Sequence, residues 1–326
     1  MSQSDSARRK VLICGGTGFI GRNLVDRYRQ RPDIDLIATC FSRPPVPLDG
    51  VSWHRVDLRD ARAVNELLDG VDVVIQAAAA TSGVRDTIQR PHIHVTDNAI
   101  MNSLLLRAAF DRGVGNFVFF SCSNMLSDAE EPQDENAWNP AIPINQRYFG
   151  IGWTKAYIEK MCEFFAGQGR TRHTVIRHSN IYGPHDKFDL ERSHMFGATV
   201  TKVMTATEGF ITLWGSGEEL RDLLYVDDLA DLVEMAVDRQ TTPFDLLHIG
   251  AGTGIPVVEV ARRIILASGR PLDIRHDLGK PSIKSNVLLD SSYARRLYGW
   301  VPRISLDEGI KRTIFWWRQN YAAKIQ

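Results

Sequence analysis

A glycine-rich turn at residues 14–21 constrains the fold of this chain more than any other segment. It reads Cys14-Gly15-Gly16-Thr17-Gly18-Phe19-Ile20-Gly21, which satisfies both the GxGxxG and the GxxGxxG spacings. A short β-branched run at residues 11–14 precedes it, and helical periodicity over residues 21–30 follows. Glycine allows a close backbone approach to a pyrophosphate, and the helix N-terminus supplies free N–H groups to that anion. An ordinary strand–helix turn is the alternative, but the position of the motif favours dinucleotide binding.

The remainder of the chain alternates short apolar strands with amphipathic helices, which predicts an α/β fold with a doubly wound parallel sheet of the Rossmann type. The predicted strands are residues 11–14, 35–39, 51–56, 71–76, 116–120, 173–176 and 245–249; the predicted helices include 21–30, 61–68, 97–110 and 152–168. The alternation stops after Pro184. We therefore expect a dinucleotide-binding domain at 10–183 and 223–252, and a smaller interleaved C-terminal substrate lobe at 184–222 and 253–326.

Composition narrows the class of partner. The 326 residues carry 39 Lys+Arg and 39 Asp+Glu, so the formal net charge is zero and no bulk basic field is present to attract nucleic acid or anionic lipid. No apolar run approaches the roughly 18 residues of a membrane span, and the start resembles no signal peptide. We expect a cytoplasmic protein. Cys14, Cys40, Cys122 and Cys162 lack metal-ligand spacing, which predicts free thiols and no metal site.

The end of the second strand bears on the choice of cofactor. NAD-specific sites place an acidic residue there to hold the ribose 2′-hydroxyl, whereas this chain has Cys40, followed by Ser42 and Arg43. These two residues suit the 2′-phosphate of NADP, so NADP is favoured over NAD unless Arg43 is simply a surface cation. Asp57, after the third strand, is placed either to bind the adenine amino group or to cap the next helix.

Several motifs carry a family resemblance. They are the glycines, Asp57-Leu58, Gln76-Ala77-Ala78-Ala79, Asn98 and Arg177-His178-Ser179-Asn180-Ile181-Tyr182-Gly183-Pro184. From about residue 10 to its C-terminus the chain resembles the extended short-chain dehydrogenase/reductase family of nucleotide-sugar enzymes, also called the NAD-dependent epimerase/dehydratase family. Residues 182–186, 193–194, 214–217, 221–222, 226–228 and 305–310 are most similar to its GDP-L-fucose synthase group, which epimerises and reduces a GDP-4-keto-6-deoxy sugar.

The resemblance and the local arguments above together assign the binding residues. The expected cofactor contacts are Gly15, Thr17, Gly18, Phe19, Ile20, Gly21, Ser42, Arg43, Asp57, Leu58, Ala77, Ala78, Ala79, Asn98, Lys155 and His178. The expected contacts to a nucleotide-diphosphate sugar are Asn124, Asn180, His194, Lys202, Trp214 and Arg221, although Trp214 could instead lie in the core. Asp227 and Asp228 are expected to cap or orient the following helix. The family also implies a homodimer built from the helices at 97–110 and 152–168.

The catalytic positions depart from the family pattern. The family uses a YxxxK pair, in which the lysine lowers the phenol's pKa and the phenol exchanges a proton with the substrate oxygen. Lys155 occupies the lysine position, but Ile151 stands in place of the tyrosine. The family Ser/Thr position falls on Cys122, and the epimerase cysteine position falls on Asn124. Only His194 matches its family counterpart.

Three residues are candidates to replace the tyrosine. Tyr148 shares a face with Lys155 if the helix extends back to it; Cys122 supplies a thiol whose pKa Lys155 could lower; His194 already titrates near neutral pH. Each also has a purely structural alternative: an aromatic packed at a helix start, a small buried residue, or a loop histidine.

The predicted function is NAD(P)H-dependent reduction, epimerisation or both, acting on a 4-keto-6-deoxy sugar linked to GDP or another nucleotide. The alternatives are a nucleotide-sugar 4-epimerase or dehydratase of the same family, or a non-catalytic NAD(P)-binding module. The missing tyrosine is the main support for the non-catalytic alternative.

Overall fold

A seven-stranded parallel sheet forms the centre of the computed structural model, which describes residues 8–80, 92–190, 193–280 and 286–324. The order across the sheet is β3-β2-β1-β4-β5-β6-β10. The strands are β1 (Arg9–Cys14), β2 (Ile34–Cys40), β3 (Val51–Arg55), β4 (Val73–Gln76), β5 (Asn116–Cys122), β6 (Arg172–His178) and β10 (Phe244–Ile249). Each predicted strand is present within a residue or two of its predicted ends, which confirms the α/β fold.

Helices cover both faces of this sheet. They are α1 (Phe19–Tyr28), α2 (Ala61–Leu67), α3 (His92–Arg112), α4 (Phe149–Ala166) and α6 (Val226–Arg239). The sheet packs between two separate apolar clusters, one against α1 and α6 and the other against α3 and α4. Helix α3 begins five residues earlier than predicted, at His92 and not at residue 97.

The second lobe has its own core and two small sheets. Its strands are β7 (Asn180–Tyr182), β8 (Phe210–Trp214), β9 (Leu220–Tyr225), β11 (Gly254–Pro256) and β12 (Asp273–Asp277), paired as β7-β9-β11 and β8-β12. Its helices are α5 (Met195–Thr205), α7 (Val257–Ser268) and α9 (Leu306–Asn320), whereas α8 (Ser292–Tyr298) packs on the core of the main sheet. Side chains of α5, β8, β9, α7 and α9 share one apolar cluster.

Asp227 and Asp228 do not cap the helix that follows β9. Helix α6 begins at Val226, so both aspartates lie in its first turn, where the helix dipole favours negative charge. The Asp228 carboxylate is buried and accepts hydrogen bonds from the backbone N–H groups of Arg303 and Ile304. Asp228 therefore ties the C-terminal segment to α6, and the predicted capping role is wrong.

Among the residues that the structure describes, every helix is too short or too polar to span a membrane. No group of three His, Cys, Asp or Glu side chains in the described ranges is arranged to hold a metal ion.

Candidate active site

The glycine-rich turn leaves room only for backbone. Gly15 has φ of 74°, and a Cβ atom added there would lie 2.6 Å from the Cα atom of Ala78 in the loop after β4. A Cβ atom on Gly21 would lie 2.2 Å from the Gly15 oxygen. Gly18 is the N-cap residue of α1 and has no side chain to satisfy the free N–H groups. The turn thus fits the pyrophosphate of a dinucleotide.

Arginines surround the loop that follows β2. The Arg43 guanidinium donates to the Thr17 backbone oxygen at 2.9 Å, so it lies across the glycine-rich turn. Arg55 donates to the Phe41 oxygen at 3.1 Å, and the Arg59 guanidinium stands 5.5 Å from the centre of the Phe41 ring. Ser42 and Arg43 are both exposed.

Asp57 is held by an arginine and does not cap α2. Both carboxylate oxygens of Asp57 accept from the Arg59 guanidinium, at 2.9 and 2.8 Å, and this interaction holds the pKa of Asp57 below its ordinary value. Arg59 also donates to Asp97 at 2.9 Å. The N-cap of α2 is Asp60, whose side chain accepts from the backbone N–H groups of Arg62 and Ala63. The capping alternative for Asp57 is wrong, whereas its contact with adenine stays a prediction, as does that of the buried Leu58.

Asn98 fixes the loop after β4. Its side-chain oxygen accepts from the Ala80 N–H at 3.0 Å, and its amide nitrogen donates to the oxygens of Ala80 and His94. The buried Gln76 side chain accepts from the Ala78 N–H at 3.2 Å. Asn98 thereby shapes the alanine segment that faces Gly15, of which Ala79 is exposed and Ala77 and Ala78 are half-buried.

Cys122 ends β5 at the carboxyl edge of the sheet. All four cysteines are free, and Cys122 is the one that is not fully buried. Burial raises the pKa of the Cys122 thiol; Lys155 and the Asn124 backbone N–H act in the opposite direction without overcoming it. Lys155 does lower this pKa, as the sequence interpretation supposed, but by less than burial raises it. The thiol is protonated at neutral pH and can donate a hydrogen bond or a proton.

Lys155 lies beside Cys122 but has no phenol partner. Its ammonium donates to the Phe120 backbone oxygen at 2.6 Å and stands 4.5 Å from the centre of the Phe119 ring. Burial lowers the pKa of Lys155, and the neighbouring Cys122 partly offsets that effect. Ile151 is half-buried one helical turn before Lys155, on the same face of α4.

Tyr148 is outside α4, so the helix does not extend back as the sequence interpretation required. It ends a 3₁₀ turn, Gln146–Tyr148, and is the N-cap residue of α4. Tyr148 packs with Cys122 against the cluster that contains Met125 and Ile144. Burial raises the pKa of the Tyr148 phenol, while the nearby Arg221 charge lowers it. Tyr148 therefore lies near both Cys122 and Arg221.

Two histidines lie near Lys155: His178 interacts electrostatically with Lys155 and with His194. His178 is the last residue of β6 and lies opposite Cys122 in the β5–β6 pair. Its δ1 nitrogen is within hydrogen-bond distance of the Ser179 backbone oxygen, at 2.8 Å. Burial lowers the pKa of His178 to about 4, and the charges of Lys155 and His194 contribute. His194 is the N-cap residue of α5; its side chain is exposed, yet the surrounding protein desolvates the ring and, with Lys187, lowers its pKa. Both rings are neutral at pH 7.

Asn180 and Arg221 come together on neighbouring strands of the second lobe. The Asn180 amide donates to the Asp222 backbone oxygen at 3.0 Å, across the β7–β9 pair. Arg221 donates to the Leu220 oxygen at 2.7 Å. The Asp222 carboxylate is buried and accepts from the Ala251 N–H at 2.7 Å. Asp222 thus anchors the strand that carries Arg221.

Trp214 is exposed and is not a core residue. Its side chain is 51% accessible at the end of β8. The ammonium groups of Lys202 and Lys280 stand 5.6 and 5.7 Å from the centre of its ring. Lys202 is fixed by donating to the Thr212 oxygen at 2.8 Å. An open indole flanked by two cations suits an aromatic anion such as a nucleotide.

The sequence interpretation missed a buried ion pair beneath these residues. The Arg177 guanidinium donates to both carboxylate oxygens of Glu159, at 3.0 and 2.6 Å, and both side chains are almost inaccessible. The Ser121 hydroxyl donates to the same carboxylate. Glu159 follows Lys155 by four residues on α4, a spacing that would have signalled a shared helix face.

Known proteins resemble this chain along most of its length. The sequence profile of the NAD dependent epimerase/dehydratase family matches residues 11–250. GDP-L-fucose synthase from Escherichia coli K12 is 28% identical over 96% of this chain and 98% of its own, and dTDP-4-dehydro-6-deoxy-D-allose reductase from Streptomyces bikiniensis is 27% identical over 96% and 98%.

Solved structures share the fold. UDP-glucose 4-epimerase from Thermotoga maritima superposes with a TM-score of 0.84 at 24% identity, covering 95% of this chain and 99% of its own. A dTDP-glucose 4,6-dehydratase from Streptomyces venezuelae gives 0.80 at 22% identity, covering 96% and 98%. These likenesses agree with the family resemblance of the sequence motifs. Because the family profile matches well over half of the sequence, the chain belongs to the NAD dependent epimerase/dehydratase family.

Proposed function

We propose that the protein is an NAD(P)H-dependent oxidoreductase or epimerase of a nucleotide-diphosphate sugar, with a 4-keto-6-deoxy sugar as the preferred substrate. One observation carries the proposal: a continuous series of electrostatic neighbours runs from His194 through His178, Lys155 and Cys122 to Tyr148 and Arg221. This series joins the proposed cofactor side of the cleft to the proposed sugar side. We therefore propose that the candidate proton donors and Arg221 share one cleft.

The thiol of Cys122 is the proposed acid of the reduction. The glycine-rich turn would hold a nicotinamide cofactor, whose chemistry would be hydride donation to a carbonyl carbon, and the carbonyl oxygen would then need a proton. The raised pKa keeps Cys122 protonated and able to donate that proton. Tyr148, beside Cys122, is placed to return a proton to the thiolate from solvent. His194, neutral and exposed, is the proposed base at the sugar carbon in an epimerisation.

The second lobe supplies the proposed contacts to the nucleotide and its diphosphate. Arg221 is the proposed partner of the diphosphate because a guanidinium binds phosphate oxygens in a forked geometry. Trp214, with Lys202 beside it, is the proposed platform for the nucleobase. Asn124 and Asn180 are proposed to bind sugar hydroxyl groups, with Asn180 held in place by the Asp222 backbone.

The proposed cofactor is NADP. The support is the arginine-rich loop after β2, where Arg43 spans the glycine-rich turn and no acidic residue stands at the end of the strand. We also propose a homodimer, formed by α3 and α4, whose outer face carries exposed aromatic side chains.

A substrate panel tests the proposed function. The protein is incubated with GDP-, dTDP-, UDP- and CDP-linked 4-keto-6-deoxy sugars in deuterated water, with NADPH or NADH, while cofactor oxidation and deuterium uptake at the sugar carbons are followed. Oxidation without deuterium uptake indicates reduction alone, and uptake without oxidation indicates epimerisation alone. If neither reaction occurs and no sugar binds, the proposal that the protein is a nucleotide-sugar enzyme is contradicted.

Variants then assign the acid. We expect Cys122→Ser to abolish NADPH oxidation and Tyr148→Phe to slow it, while Cys162→Ser, which alters a buried thiol on α4, leaves it unchanged. Full activity of Cys122→Ser would remove the thiol from the mechanism. The second candidate function is a non-catalytic cofactor-binding module, which Ile151 favours. Binding of NADPH with no turnover on any sugar would support that candidate.

A further inference from the structure

The buried carboxylate of Glu159 connects three elements that carry site residues. It lies on α4, one turn after Lys155, and accepts hydrogen bonds from Ser121 on β5 and from the Arg177 guanidinium on β6. Ser121 directly precedes Cys122, and Arg177 directly precedes His178. A single side chain therefore fixes the mutual position of Lys155, Cys122 and His178.

The network continues away from the cleft through Arg177. Its guanidinium also contacts the Glu135 backbone oxygen at 3.3 Å and the ε2 nitrogen of His248 at 3.2 Å. The His248 backbone N–H donates to the Glu135 carboxylate at 2.7 Å, and its δ1 nitrogen contacts the Gln133 oxygen at 2.8 Å. Each nitrogen of the Arg177 guanidinium thus has a hydrogen-bond partner, which is what a buried cation requires.

We propose that Glu159 is a positioning residue for catalysis, which holds Ser121 on β5 and Arg177 on β6 against α4 and so aligns the thiol of Cys122 with Lys155. The proposal rests on the proposed function of the same cleft. Glu159 touches neither substrate nor cofactor and acts through Ser121 and through its charge. An unpaired apolar residue at position 159 would leave the Ser121 hydroxyl and Arg177 without their acceptor.

The charges that face Cys122 decide the direction of the effect. Glu159 disfavours the thiolate, whereas Lys155 and Arg177 favour it, and burial disfavours it most. The phenol of Tyr148 also faces the thiol. Removing the negative charge of Glu159 leaves Lys155 and Arg177 unopposed. The thiolate must then form at lower pH than in the unaltered protein.

The rate of Cys122 alkylation by iodoacetamide measures this effect without any substrate. The other three cysteines are fully buried, so the labelled site can be verified by peptide mass spectrometry. We expect Glu159→Gln to move the midpoint of the pH–rate profile down by at least half a unit, which is about a threefold faster reaction at a fixed pH below it. Simple loosening of the fold would raise the rate at every pH and leave the midpoint in place, which would overturn the electrostatic role.

A milder pair of variants covers the case in which Glu159→Gln does not fold. Ser121→Ala removes one donor to Glu159 and leaves the ion pair intact, while Ser121→Thr keeps the hydroxyl. We expect Ser121→Ala to lower kcat severalfold at an unchanged KM and to change the alkylation rate, and Ser121→Thr to restore both. Equal behaviour of Ser121→Ala and the unaltered protein would overturn the proposal. Because alkylation needs no sugar, failure of the substrate panel and failure of this inference are separate results.

Discussion

The sequence resemblance assigns Ile151 to the position of the family tyrosine, and this assignment stays a prediction. Ile151 lies one helical turn before Lys155 and is half-buried, so a side chain at this position reaches the same face of α4 as the lysine. The neighbouring side chains that could act in its place, Cys122 and Tyr148, approach from β5 and from the turn before α4. In the proposed mechanism the lysine is therefore kept and the acid comes from other elements.

Restoring the phenol tests this interpretation. We expect Ile151→Tyr to raise the rate of sugar reduction by at least about tenfold, because a positioned general acid contributes factors of about a hundred or more. Ile151→Phe is the matched control, since it adds the same ring without the hydroxyl. The measurement is single-turnover NADPH oxidation. Equal rates in the tyrosine and phenylalanine variants would mean that the substrate oxygen does not lie near residue 151.

Arg43 is the residue on which the cofactor preference depends. We expect Arg43→Ala to raise KM for NADPH by about tenfold and to leave KM for NADH unchanged, because a hydrogen bond to a charged phosphate contributes about 1.5–3 kcal/mol. Arg62→Ala is the control, since Arg62 is an exposed arginine paired with Glu66 on α2. A parallel loss for both cofactors would instead indicate that Arg43 acts by holding the Thr17 carbonyl.

At the scale of elements, α4 has two faces with different tasks. Its inner face carries Lys155 and Glu159, whereas Phe149, Trp153, Tyr157 and Phe164 are exposed on one stripe of the outer face. A stripe of exposed aromatic residues on a helix that packs beside α3 is typical of a subunit interface. The proposed interface and the proposed catalytic lysine therefore share one helix.

Charge on this stripe should separate the subunits. We expect the double variant Tyr157→Glu/Phe164→Glu to sediment as a monomer under conditions in which the unaltered protein is a dimer, because glutamates in an apolar interface lose their hydration. Phe315→Glu on α9 is the matched control, since Phe315 is equally exposed, at 64% against 61% for Phe164. A dimer that survives the double variant would place the interface elsewhere.

Strands and helices of this chain were predictable, whereas the contacts within the site were only partly so. The apolar runs predicted the strands of the sheet correctly because fully buried parallel strands have a strong hydrophobic pattern, as in β4 and β5. Glu159 was missed because a carboxylate within an amphipathic helix normally indicates the solvent face, and its partner Arg177 becomes apparent only in three dimensions. The effect of Lys155 on the Cys122 thiol could be predicted from the sequence, but the larger opposing effect of burial becomes apparent only in the structure.

At the scale of the whole molecule, the buried titratable groups set how stability depends on pH. His173 on β6 is fully inaccessible, and neither of its ring nitrogens has a hydrogen-bond partner in the described part of the chain. His248 on β10 is equally buried. Burial lowers the pKa of each to about 4, so the folded protein keeps both rings neutral at pH 5 while the unfolded chain protonates them.

The two histidines should therefore lower the free energy of unfolding as the pH drops from about 6.5 to 4, by up to about 1.4 kcal/mol per pH unit each, whereas the raised pKa of the buried Asp186 carboxyl, about 7, acts in the opposite direction. A buried histidine with a lowered pKa does not affect the free energy of unfolding at a pH well above its pKa in the unfolded chain. At lower pH the unfolded chain binds a proton that the folded protein does not, so the folded protein loses stability until the pH reaches the folded pKa. We expect His173→Leu to fit the apolar site beside Phe117, to match or exceed the unaltered protein at pH 7.5, and to show a shallower decline. His54→Leu, at an exposed position on β3, should leave the slope unchanged. Urea unfolding at half-unit steps between pH 4.5 and 8 measures the two slopes, and parallel curves for His173→Leu and the unaltered protein would exclude His173 as a source of the pH dependence.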